Sequence, residues 1–135
     1  RNPLPVVRVT PSMPRPGEKI QFSWSLKGSV SRLDTLAVYL EGSEIARYRR
    51  GTKTVTDDNV FFQEILCDFD SRGDFRTGEA EILLSADTVP TMKTDHNQIE
   101  WSVLFNGTIS KWPDLRETFT LPVFAGRPQK NSPYG

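Results

Sequence analysis

The sequence predicts an all-β domain, a single antiparallel β-sandwich of seven to nine short strands. Three observations carry this reading. Apolar residues recur with a period of two in several runs, as they do on half-buried strands. No window of eleven or more residues has the caps and 3.6-residue period of an amphipathic helix. Clusters rich in Gly, Pro, Ser and Asp fall between the apolar runs at the spacing of a sandwich.

Taken in order, the runs are as follows. Val6 to Val9 is short and weak. Lys19 to Leu26 alternates cleanly, with Ile20, Phe22, Trp24 and Leu26 on one face. Leu33 to Leu40 and Ile45 to Arg50 are weaker, and Glu41-Gly42-Ser43 between them reads as a hairpin connection. Val60 to Phe69 follows. Glu79 to Ala86 alternates again, and Gln98 to Phe105 places Ile99, Trp101, Val103 and Phe105 inward. Phe119 to Val123 closes the set; Pro122 within it cannot donate to a ladder, so this strand is expected at an edge or with a bulge. Other turn signals are Pro14 to Gly17, Lys27 to Ser29, Arg50 to Thr52, Ser71 to Asp74 and Asn106-Gly107. Trp24 and Trp101 are expected to be buried on opposing inner faces.

Composition narrows the function classes. The chain has 135 residues, 36% of them hydrophobic, and about a quarter are Leu, Ile, Val or Phe, enough for a real core. Seventeen basic and seventeen acidic residues cancel, a poor start for a binder of nucleic acid or an anionic membrane. One cysteine allows no internal disulfide and is compatible with a reducing compartment, such as the cytoplasmic face of a membrane. One His and one Cys are a thin basis for a structural zinc site or a Cys–His catalytic pair. No apolar run of about 18 residues is present to span a bilayer as a helix. The chain opens on Arg1 rather than Met, as expected of a piece of a longer protein, and residues 126–135 read as an extended or disordered tail after a 1–125 domain.

The order of motifs carries a resemblance. Pro16-Gly17-Glu18 precedes an alternating strand. A long hairpin pair, Val89-Pro90-Thr91-Met92, the Asn97 to Val103 strand with its Ile-x-Trp, and a closing Phe119-Thr120-Leu121-Pro122-Val123 follow. This resembles the arrestin-like, immunoglobulin-type β-sandwich found as the C-terminal domain of uncharacterised bacterial membrane proteins. The resemblance spans roughly Leu4 to Val123 and rests on packing motifs rather than chemistry. It implies a parent anchored by transmembrane segments, no assigned catalysis, and no active-site residue to carry over.

The chemistry-bearing candidates are few. Laid on an EF-hand loop, Asp68 and Asp70 fall at the first and third ligand positions, Gly73 at the sixth and Glu79 at the twelfth, with Asp74 in the same cluster, but Arg72 puts a cation at the fifth position and the flanks read as strands. They are weak calcium candidates, and a solvated acidic turn is preferred. Arg72-Gly73-Asp74 matches an adhesion tripeptide that chance also supplies. Arg47 to Lys53 is the one basic cluster, read as protection of an edge strand rather than a phosphate site. Tyr39, Tyr48 and Trp112 are candidates for a carbohydrate-stacking surface, although Trp112, in a connection, is expected to plug the core. Asn106-Gly107-Thr108 is a glycosylation sequon and, equally, a turn. Cys67, at a strand-interior position, is expected as an inert buried thiol. His96 is expected to be exposed and beyond hydrogen-bond reach of Asp114.

These residues favour a non-catalytic interaction or structural module that presents loops and a sheet edge to a protein partner, with no cofactor and no nucleic acid. A carbohydrate- or calcium-binding sandwich is the second reading. An enzyme is third, because no nucleophile, base and orienting group fall together.

Overall fold

The computed structural model describes residues 3–28, 33–70 and 76–126. The described residues form eight strands and no helix: β1 Leu4–Thr10, β2 Lys19–Lys27, β3 Leu33–Arg50, β4 Lys53–Phe69, β5 Thr77–Leu83, β6 Met92–Lys93, β7 Asn97–Ile109 and β8 Trp112–Thr120. They make two antiparallel sheets. One has the order β1-β2-β5. The other has the order β4-β3-β7-β6, with β8 also pairing β7. β6 pairs with the first residues of β7 and β8 with the rest, so these two short strands share one flank.

The core lies between the sheets and follows the period-two pattern. Ile20, Phe22, Trp24 and Leu26 of β2 face Leu36, Val38 and Leu40 of β3 and Ile99, Trp101, Val103 and Phe105 of β7, all buried. Burying such side chains is the main favourable term of folding, at about 25 cal/mol per Å² of apolar surface. Trp24 and Trp101 are buried on opposing sheets, as the alternation predicts. The Trp24 ring packs edge-on to Phe105 at 5.7 Å and to Phe69 at 6.4 Å.

The structure corrects the sequence reading at its glycines. Glu41-Gly42-Ser43 is no turn; it lies inside the 18-residue strand β3. Gly42 stands opposite Trp101, and a Cβ there would come within 2.9 Å of the indole. Glycine in a strand marks close approach of a neighbour as often as it marks a bend. Asn106-Gly107 is likewise inside β7. The turn read at Arg50 to Thr52 is the hairpin turn: Gly51 has a φ of 66°, in the left-handed region, and β4 begins at Lys53 rather than Val60. The β7–β8 turn falls at Ser110-Lys111, and Lys111 takes the positive φ.

Two boundaries also differ. The connection from Asp87 to Asn97 contains the two-residue strand β6. The last strand runs over Trp112–Thr120, so Trp112 opens a strand rather than sitting in a connection, and Pro122 lies beyond the ladder. Leu121 and Val123 are nevertheless buried, because their amides are held by the Trp101 carbonyl and the Thr91 hydroxyl. The tail expected over 126–135 lies outside the described residues apart from Gly126.

Candidate functional site

β4 is the open edge of its sheet. It pairs with β3 on one side and with no strand on the other among the described residues. β5 is the corresponding edge of the opposite sheet, and the two edges approach each other near Cys67, whose Sγ lies 3.8 Å from the Glu79 carbonyl. Burial pushes the Cys67 thiol pKa up. Further along β4 the edges part and leave an apolar groove.

A register shift in the β3–β4 ladder shapes this groove. Gly42 pairs with Phe62 and Ser43 with Val60, which leaves Phe61 as the extra residue of a β-bulge. Successive strand residues normally point to opposite faces. Here the bulge breaks that parity, and Phe61 and Phe62 both reach the same indole, each with its ring centroid 5.5 Å from Trp101. Gly42 makes room for the arrangement, since a Cβ on it would also meet the Phe61 ring at 2.9 Å.

The groove holds about 320 Å³ and is floored by Leu40 and Trp101. Its walls are Phe61 and Phe62 on one side, and Leu83 with the segment Leu84 to Val89 on the other. Trp101 Nε1 donates to the Val89 carbonyl at 2.8 Å, so the floor also fastens the far wall. The Ser85 and Thr88 hydroxyls lie 3.3 Å apart, and the one charged lining residue is Asp87. Phe61 and Phe62 remain 43% and 40% exposed, and Leu83 69%. Val89 on the far wall is exposed as well, and exposed apolar side chains gathered in this way mark contact surfaces; Val60 and Ile65, opposite Ser43 and Tyr39, are exposed on the other face of β4.

The groove was not foreseen from the sequence. Val60 to Phe69 reads only as a weak strand, and the signal it carries is Phe61-Phe62 itself. Two adjacent large aromatics cannot both face inward on a regular strand, so the pair calls for a bulge or for exposure.

The residues singled out in the sequence are not brought together. Asp68 closes the exposed end of β4, Asp70 is exposed just beyond it, and Asp74 and the Arg72-Gly73-Asp74 tripeptide lie outside the described residues. Among the described residues no three His, Cys, Asp or Glu side chains gather as metal ligands. Tyr39 and Tyr48 are nine residues apart on one strand, about 30 Å at ~3.3 Å per residue, and on opposite faces. Trp112 belongs to β8, and the core-filling role expected of its side chain lies outside the described residues. Asn106 of the sequon is exposed within β7.

His96 is exposed just before β7, and its carbonyl accepts from the Arg47 amide at 2.8 Å. Asp114 sits beside the other end of that strand, where Leu115 pairs with Gly107. Ten residues of β7 separate the two places, about 33 Å. The basic cluster forms the distal arm of the β3–β4 hairpin, beyond the last β3–β7 pair at Ala46 and Asn97. There the Arg47 guanidinium donates to Gln98, and the Tyr48 hydroxyl donates to Asp57 at 3.1 Å, which raises the phenol pKa.

No family model matches the chain, and no curated protein matches it significantly. Solved structures do match. One is the crystal structure of Spo0M, a sporulation control protein from Bacillus subtilis. It is 13% identical with a TM-score of 0.58, over 94% of this chain and 50% of that one. The fold is the arrestin-like β-sandwich. At this identity the likeness concerns the fold alone, and the chain spans half the length of Spo0M. In the arrestin-like sandwich described here, the β4 edge and its groove gather Phe61, Phe62, Leu83 and Val89 as exposed apolar side chains.

Proposed function

We propose that the chain is a non-catalytic protein-interaction module that docks a partner at the β4 edge and the groove beneath it, within a larger membrane-anchored bacterial protein. The observation that carries this reading is the bulge that sets Phe61 and Phe62 side by side over Trp101 while leaving both substantially exposed. Apolar surface held in water by a specific backbone irregularity is what a binding edge needs and a plain structural domain does not. An unpaired strand edge also offers main-chain donors and acceptors to an added strand. The groove supplies only hydroxyls and one carboxylate as polar groups, which suits docking better than acid–base or nucleophilic chemistry. The membrane-anchored parent rests on the resemblance of the motif order, and a sporulation control protein on the same fold is compatible with a regulatory role.

The test is selection of displayed random peptides on the folded chain, followed by binding to the Phe62→Ser variant. The expected result is a set of ligands that lose binding on this substitution. Ligands indifferent to Phe62 that protect another surface from hydrogen exchange would overturn the reading.

A further inference from the structure

The β4 strand is apolar at its centre, and its own charges there are acidic, with the basic arm of Arg47 to Lys53 lying beyond them towards the hairpin turn. Residues 54–66 contain Asp57, Asp58 and Glu64 and neither Lys nor Arg. The β3–β4 register places Glu64 opposite Leu40, whose side chain faces the core, so Glu64 shares the groove-side face with Phe62. Beyond the bulge, Asp57 pairs with Ala46 and returns to the same face, and Asp87 lines the opposite wall. The apolar centre is therefore flanked by carboxylates along the strand and across the groove. Lys19 of β2, opposite Leu83, lies 3.9 Å from the Glu81 carboxylate. Among the described residues Asp58, Glu64 and Asp87 make no ion pair.

We infer that the occupant of this edge is an extended basic segment of a partner protein, with one large apolar side chain flanked by Lys or Arg two residues away. The inference rests on the docking function proposed above and names its partner's chemistry. Side chains two apart on an added strand share a face and are about 7 Å apart. When the apolar residue enters the groove beside Phe62, a cation two positions along meets Glu64. A volume of about 320 Å³ is at the small end for ligand sites and suits one or two side chains rather than a helix. The same charges argue against a second copy of the chain. Two β4 edges brought together antiparallel about the Val60–Phe61 bond would set Asp57 against Glu64 twice on the groove-side face, and like charges directly opposite are destabilising.

The test uses three synthetic heptapeptides on the full chain, read by amide chemical shifts and by titration. The peptides are Thr-Lys-Thr-Phe-Thr-Lys-Thr, the same sequence with Glu for Lys, and the Lys peptide with Ser for Phe. The Lys–Phe peptide is expected to shift β4 amides and to bind at least tenfold more tightly than either other peptide, with the advantage shrinking at high salt. Glu64→Lys, an exposed substitution that leaves the core untouched, is expected to reverse the preference between the Lys and Glu peptides. Equal binding of the Lys and Glu peptides at β4 would overturn the basic partner and leave docking at the groove standing. No β4 shift with any peptide would overturn the inference, and peptide-library ligands mapping elsewhere would overturn docking as well. Concentration-dependent dimerisation lost in Phe62→Ser would assign the edge to a second copy. Tighter peptide binding after removal of residues 127–135 would assign it to the chain's own tail.

Discussion

Gly42 lies directly across the β3–β7 ladder from Trp101, and any side chain on it would have its Cβ 2.9 Å from the indole and equally close to the Phe61 ring. The absence of a side chain at this one position thus lets the groove floor and its aromatic wall meet. Gly42→Ala is expected to lower stability by about 1–3 kcal/mol, the usual cost of overpacking. Denaturant titration should show a reduced midpoint with an unchanged slope. Wild-type stability in this variant would mean that Trp101 does not rest on the strand at Gly42.

The two core tryptophans should behave differently when altered. Trp24 and Trp101 to Ala are each expected to cost about 3–5 kcal/mol, as for large aromatics in a core. Trp101→Phe keeps most of the packing but removes the 2.8 Å bond to the Val89 carbonyl. Its stability loss should be smaller, and faster amide exchange should be confined to residues 84–91. Exchange unaltered there would show that the bond does not fasten the wall.

Alternation made the sandwich legible. Ile20, Phe22, Trp24 and Leu26, and Ile99, Trp101, Val103 and Phe105, alternate so cleanly that their inward faces could be assigned from the sequence. The long hairpin was misread because a glycine in a strand and a glycine in a turn look alike in sequence. Gly42 is distinguished from Gly51 only by Trp101, some 60 residues away, lying over the former. The groove was hidden for a related reason. It depends on the register of β4 against β3, and register is a tertiary property wherever a bulge interrupts the period.

Cys67 gives a pH-dependent signature. Burial raises the thiol pKa, so the folded chain disfavours the thiolate relative to the unfolded chain. A raised folded pKa contributes stability that is fully present below the unfolded value, about 8.5, and is lost as pH rises through the folded value. Cys67→Ala should therefore lose less stability than the wild type as pH rises above about 8.5. At pH 8 iodoacetamide should alkylate the folded thiol more slowly than the denatured one. Equal rates would mean that Cys67 is not shielded by the β4–β5 contact.

Calcium should leave the protein unchanged. A calcium ion needs six to eight oxygens. Asp68 and Asp70 are exposed at the end of a strand, and the sequence sets Arg72 between them and Asp74. Millimolar calcium is expected to shift the melting temperature of neither the wild type nor Asp70→Ala. A rise in the wild type that is absent in the variant would establish a metal site in this loop.

The aromatic wall separates binding from folding. Phe61 and Phe62 are each well over a third exposed, so truncating one forfeits only part of the burial a core phenylalanine provides. What is lost with Phe62 is its contact with Trp101, and aromatic pairs contribute about 0.5–1.5 kcal/mol beyond area. Phe62→Ser should cost about 1–2 kcal/mol, well below Trp101→Ala, and leave the chain folded. The surface effect should be larger than the stability effect. The Lys–Phe peptide should lose at least tenfold in affinity, because its apolar side chain no longer meets an aromatic wall. Phe61→Ser should act in the same direction, since the bulge sets both rings on one indole. Binding kept in both variants would place the docking surface elsewhere, and unfolding of both would make the Phe pair part of the core.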